Sequence, residues 1–196
     1  MSGWPTERLA GLLLALSLVP SAATSAAEGA PAAPAPLQRT LDATRTATPS
    51  AAADAWVAAL APRLASRLPD AHRRRALLRR VRAEARLAGL DPRIILAVIQ
   101  VESGFRADAE SPAGARGLMQ VMPFWKAVLG RADDDLHDPA TNLRYGCTIL
   151  AYYLRQEHGD LTRALARYNG SRGRTDYPER VMRAWQRHWW LADQRH

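Results

Sequence analysis

The chain has 196 residues, which fits one compact domain plus additional segments. Its formal net charge is +8, carried almost entirely by arginine, with Lys126 the only lysine. Such a balance favours anionic partners (nucleic acid, anionic lipid or an acidic wall polymer), but genomic base composition alone can produce an Ala- and Arg-rich chain, so charge selects no partner. Cys147 is the only cysteine, which excludes an intramolecular disulfide.

The first third differs from the rest. Arg8 precedes an apolar run, Leu9 to Val19, and small residues follow it. That order predicts a secretory signal peptide over 1–27, with cleavage after Ala27 or after Ala23. The run is short for a bilayer-spanning helix; a buried helix or a retained anchor is the competing reading. No Cys follows the run, so a lipid anchor on cysteine is excluded. Residues 28–53 are rich in Ala, Pro and Thr, with few large apolar groups to offset chain entropy, and read as a flexible linker.

From 54 to 196 the apolar spacing is helical nearly throughout. Asp54 starts a helix carrying Val57, Leu60, Leu64 and Leu68, weakened by Pro62. Asp70 caps the next, with Leu77, Leu78, Val81 and Ala85 facing inward, and Gly89 ends it. The Asp91-Pro92 pair is a capping residue followed by a proline at the first helical position; Ile94, Ile95, Val98 and Val101 line that helix and Gly104 stops it. Between 104 and 137 the pattern breaks into turns around Ser111-Pro112, Gly114, Gly117 and Pro123. Asp138-Pro139 opens a helix to Gly159, where Leu143, Cys147, Leu150 and Leu154 make Cys147 a small core residue. A short helix from Asp160 ends at Asn169-Gly170, and Pro178 begins a last one with Val181, Trp185 and Trp189 on one face.

Glu102 is the residue that asks for an explanation. It follows Val98 and Ile94 at i+4 and i+8, so it projects from the apolar face, and it occupies the last turn, where the helix dipole disfavours negative charge. Burial and dipole both raise a carboxyl pKa, and an acid still protonated near neutrality can donate to a leaving oxygen. The competing reading turns Glu102 to solvent or pairs it with Arg106. Tyr168 follows Leu161 and Leu165 on an inner helix face, where its phenol could bond a carboxyl group or a sugar, or simply pack. The five histidines lack ligand spacing, no phosphate-binding Gly-rich loop follows a strand, and no Gly-x-Ser-x-Gly elbow occurs, so neither metal nor cofactor is expected.

Glu102-Ser103-Gly104-Phe105, followed by the run from Ser111 to Pro123 (Ser-Pro-Ala-Gly-Ala-Arg-Gly-Leu-Met-Gln-Val-Met-Pro), resembles the signature of the Slt-type soluble lytic transglycosylases. Asn142 to Gly146, Ala166 to Gly170 and Tyr177 to Val181 resemble that family's later blocks, in its order, over about 90–185. The chain departs from the family in carrying Ile149-Leu150 in place of Tyr-Leu and Arg167 before Tyr168. The resemblance implies a mostly α, lysozyme-like fold, akin to goose-type lysozyme, with little or no β structure. It implies cleavage of the β-1,4 bond between N-acetylmuramic acid and N-acetylglucosamine in peptidoglycan, leaving a 1,6-anhydro ring on the muramic acid. By motif position Glu102 is the catalytic acid and then base, Ser111 orients the muramic acid, Gln120 and Met122 line the groove, and Tyr168 and Asn169 lie close to Glu102. One carboxyl group suffices if the substrate's acetamido oxygen supplies the second function, so no acidic partner is expected within about 5–9 Å of Glu102, the range of two-carboxylate enzymes.

The expected partner is therefore peptidoglycan, met in the periplasm by a monomer with no stable membrane span after processing and no nucleic acid, alone or within cell-envelope machinery. A hydrolytic muramidase of the goose-lysozyme type and a non-catalytic peptidoglycan-binding component of a secretion or conjugation machine are the alternatives.

Overall fold

The computed structural model describes residues 51–191; the expected signal peptide and nearly all of the expected linker lie outside the described residues. The first helix, α1 (Ala51–Leu60), begins three residues ahead of the expected domain boundary and runs into a 3-10 turn, Ala61–Leu64, where Pro62 ends the regular helix. The six further α-helices among the described residues are α2 (Ala71–Leu87), α3 (Pro92–Glu102), α4 (Trp125–Leu129), α5 (Pro139–Gln156), α6 (Leu161–Tyr168) and α7 (Asp176–Ala184). A π-helical turn, Trp185–Trp189, follows α7. Among the described residues no strand occurs; two isolated bridges, Glu110 with Arg116 and Arg116 with Val121, tie the long loop after α3.

Four helix starts follow the same rule. The carboxylates of Asp70, Asp91, Asp138 and Asp160 accept from the backbone N–H of Arg73, Arg93, Thr141 and Arg163, at 2.7, 2.8, 2.8 and 3.0 Å. Two starts depart from expectation. The last helix begins at Asp176, ahead of Pro178, which sits in the first turn where its missing N–H costs nothing. The five-residue α4 was not expected, because a segment this short has no apolar repeat to read.

Helix α3 is the centre of the fold. Residues 94–99 are all buried, so it is enclosed on every side rather than along one stripe. It packs against α2, α7 and the π turn, while α5 and α6 pair beside them. Trp189 is fully buried, and its indole N–H donates to Gln100 of α3 at 3.0 Å. Cys147 is buried in α5 and burial pushes its thiol well above the ordinary range, as a core residue requires and a nucleophile does not.

Candidate active site

The carboxyl of Glu102 stands at the C-terminal end of α3, and the residue is only 8% exposed. Its partner is a phenol: Tyr177, at the start of α7 and itself buried, donates its O–H to Glu102 Oε1 at 2.6 Å. Burial raises the Glu102 pKa to about 7, against the opposing pull of the Tyr177 hydrogen bond and of the Arg180 guanidinium one helical turn further along α7. Burial wins because an ion in this setting loses its water and regains one hydrogen bond and one distant cation. The carboxyl is thus poised to carry a proton at neutral pH and to release it. Neither of the competing readings of Glu102 describes this arrangement: the side chain is not turned to solvent, and Arg106 spends its Nε–H on the carbonyl of Ser103 at 3.2 Å.

Glu102 lines a cleft of about 350 Å³ together with Arg106, Ala109, Glu110, Ser111, Pro112 and Gln120. Three of the sequence-predicted site residues, Glu102, Ser111 and Gln120, therefore meet in one place. Ser111 holds its own loop closed, its Oγ accepting from the Ala115 N–H at 3.0 Å, which leaves the hydroxyl proton to be directed elsewhere. Gln120 adopts φ 49°, in the left-handed region, and its side-chain amide donates to the carbonyls of Ala109 and Gly117 at 3.1 and 3.0 Å. Both N–H bonds of that amide are thereby spent on the loop's own backbone.

The loop that carries these groups hangs on buried polar hooks. The fully buried Asn142 of α5 accepts from the Met119 N–H at 2.7 Å and donates to the carbonyls of Arg116 and Leu136 at 2.8 Å each. Ser103, next to the acid, donates to the Leu118 carbonyl at 2.8 Å. Gly117 is required here: with φ 74°, a Cβ on it would lie 2.3 Å from the Leu136 oxygen and 2.4 Å from Asn142 Nδ2.

Tyr168 does not bond the carboxyl. Its O–H donates to the Met119 carbonyl at 2.7 Å, so it braces the loop, although it remains close enough to Glu102 for their charges to interact. The phenol on the acid comes from Tyr177, which helix spacing could not single out because the contact spans 75 residues. Met122 and Asn169 do not line the cleft; Met122 is half-buried in the turn beyond Gln120, and Asn169 is exposed as the C-cap of α6. A further carboxyl group, Glu110, lines the same cleft. It is half-exposed and engaged with Arg116 at 3.5 Å and with His137 at 3.9 Å. Among the described residues no cluster of His, Cys, Asp and Glu is arranged to hold a metal ion.

A buried carboxyl raised to a pKa of about 7 and lining a cleft is chemically able to act as a general acid. The family model described as the transglycosylase SLT domain matches residues 80–186, more than half of the chain and every part of this cleft. The chain belongs to that family. Among curated proteins, a transglycosylase of Enterobacteria phage PRD1 is 35% identical over 48% of this chain and 37% of its own length. The membrane-bound lytic murein transglycosylase C of Haemophilus ducreyi is 38% identical over 45% of this chain and 26% of its own, and the soluble lytic murein transglycosylase of Salmonella typhimurium is 32% identical over 40% and 14%. The matched segment thus spans roughly a seventh to somewhat over a third of these relatives. A solved structure of an inactive mutant of the lytic transglycosylase Slt from Pseudomonas aeruginosa aligns over 81% of this chain and 32% of its own at 24% identity and a TM-score of 0.40, too loose a superposition to add to the sequence match.

Proposed function

We propose that this protein is a lytic transglycosylase with a lysozyme-like catalytic domain, cleaving the β-1,4 bond between N-acetylmuramic acid and N-acetylglucosamine. The observation that carries the proposal is Glu102: buried, bonded to Tyr177, raised to a pKa of about 7 and lining the cleft. In the first step Glu102 donates its proton to the glycosidic oxygen as the C1–O bond breaks. The muramic acid's 2-acetamido oxygen attacks the anomeric carbon and takes up the developing charge. Glu102 is now ionised, and Tyr177 and Arg180 favour that form. In the second step it accepts the proton of the muramic 6-hydroxyl, whose oxygen displaces the acetamido group and closes the 1,6-anhydro ring. Protons balance and no water is consumed. Ser111 and Gln120 line the cleft beside Glu102 and are proposed to orient the sugar.

Glu110 supports a second reading. A second carboxylate in the cleft is what a hydrolytic muramidase uses to activate water. Its engagement by Arg116 and His137 opposes that role. Digestion of purified sacculi followed by mass spectrometry separates the two. Anhydro ends support transglycosylation; reducing ends, one water heavier, establish hydrolysis; absence of any released fragment refutes catalysis.

The apolar run from Leu9 to Val19 supports export, placing the enzyme in the periplasm and its substrate in the cell wall. Among the described residues no helix is long and apolar enough to cross a membrane. The protein would act there as a monomer, alone or with envelope machinery that must open the wall.

A further inference from the structure

Of the described residues lining the cleft, Arg106 alone is a cation, beside the carboxyl groups of Glu102 and Glu110. These charges do not cancel one another. Glu110 is engaged by Arg116 at 3.5 Å and lies 3.9 Å from His137, and the guanidinium that acts on Glu102 is that of Arg180. Arg79, Arg93 and Arg131 each hold an aspartate, whereas Arg106 forms no ion pair with any described residue. It is nevertheless fixed. Gly104 and Phe105 follow Glu102 in left-handed conformation, φ 60° and 72°, and turn the chain back after α3. A bulky residue keeps such a φ only when its surroundings hold it, and Phe105 is buried with its ring 5.6 Å from that of Trp189. The Ser103 carbonyl then accepts from the Arg106 backbone N–H at 3.3 Å and from its Nε–H at 3.2 Å. With Nε held, the two terminal nitrogens of the guanidinium bond no described residue. Such a planar fork, anchored at one end and unpaired at the other, suits a carboxylate taken end-on by two parallel hydrogen bonds.

The proposed substrate offers carboxylates at two distances from the bond that breaks. The nearer belongs to the lactyl ether on C3 of the muramic acid, the same sugar whose C1–O bond is cut. It is free and ionised only where no stem peptide is attached, because the stem takes it up as an amide. The farther ones belong to the stem itself, beyond its first residue. A cleft of about 350 Å³ is at the small end for ligand sites, with room for a sugar and its lactyl group rather than for a stem as well. Arg106 lines that cleft together with Glu102, which favours the carboxylate borne on the sugar. We propose that Arg106 binds the free lactyl carboxylate, so that this enzyme favours glycan strands from which the stem peptides have been removed. A stem-bearing strand still presents the amide carbonyl, but a neutral acceptor is bonded about half as strongly as an ionised one.

This preference rests on the proposed activity, and two readouts keep them apart. kcat/KM for release of anhydro product is measured on intact strands and on the same strands after an amidase has removed the stems. The stem-free strands should be favoured about 5- to 10-fold. Arg106→Gln should bring that ratio to about 1, through KM rather than kcat. Arg106→Lys, which keeps the charge but not the fork, should restore part of it. Binding is read without turnover by calorimetry in a Glu102→Gln background. There the disaccharide N-acetylglucosaminyl-N-acetylmuramic acid should bind about 5- to 10-fold more tightly than its methyl ester, and Arg106→Gln should erase the difference. Equal rates on both strands, or a ratio unmoved by Arg106→Gln, would overturn the preference and leave the activity standing. So would an Arg106-dependent preference for stem-bearing strands, which assigns the guanidinium to a stem carboxylate. A protein that cleaves neither strand refutes the activity, and equal binding of acid and ester refutes the carboxylate site on its own.

Discussion

The two walls of the cleft are built on opposite principles. The wall bearing the acid is a helix buried on all sides, and its one polar group of consequence, Glu102, is surrounded by apolar packing and a single phenol. The wall bearing Ser111 and Gln120 is an irregular loop that buries Leu118, Met119 and Val121 in the core and is fixed besides by hydrogen bonds from Asn142, Ser103 and Tyr168. Each construction suits its work. A raised pKa needs removal from water, which a central helix provides. Groups that must meet a sugar need exposure, and a loop can be exposed yet fixed only if its backbone is tied from behind.

If the walls divide the labour this way, damage to the helix wall should appear in the chemistry and damage to the loop wall in stability. The largest effect belongs to Glu102→Gln, which should reduce product release by about 10²–10⁴-fold, measured on purified sacculi. The same substitution should stabilise the protein at high pH. The carboxyl's folded pKa lies above its unfolded value, so ionising it costs folding free energy. That cost is absent below about pH 4.5, grows between about 4.5 and 7, and is complete above about 7. The gain of the Gln variant in urea unfolding should therefore approach about 3 kcal/mol at pH 8 and vanish at pH 4.

Against the loop wall, Asn142→Ala removes three hydrogen bonds, two of them buried, and should cost about 2–4 kcal/mol in the same unfolding measurement, with the loss of activity following the loss of folded protein. Tyr177→Phe tests the helix wall more finely. It deletes the bond that favours ionised Glu102, so the alkaline limb of kcat/KM should move to higher pH while the maximum falls by about 10-fold. A limb that stays put would mean that Tyr177 only packs. The smallest effect is expected from Ser103→Ala, about 1 kcal/mol of stability with the pH limb unmoved, since Ser103 ties the loop without touching the acid.

The helix wall was far more legible in the sequence than the loop wall. Asp91-Pro92, the apolar spacing to Val98 and the stop at Gly104 state locally where Glu102 lies and which way it points. The same local reasoning named Tyr168 and missed Tyr177, because choosing between two inward phenols depends on how α6 and α7 pack on α3, a fact no single helix contains. Gly117 and Gln120 of the loop and Asn142 of α5 stand in the family-like runs of sequence, yet their connection is tertiary: Asn142 reaches back 23 residues to Met119, and no periodicity announces it. Glu110 was passed over for a related reason. Next to Ser111 in an irregular segment it has no face to be assigned to until the loop is folded.

The account depends on Glu102 holding its proton in neutral solution. A carbon-13 NMR titration of the glutamate side-chain carboxyls, with the Glu102 signal assigned by its loss in Glu102→Gln, measures that property directly. A midpoint near pH 7 is predicted. A midpoint near 4.5, where an ordinary glutamate ionises, would contradict the account, because the acid would then arrive at the glycosidic oxygen without a proton to give.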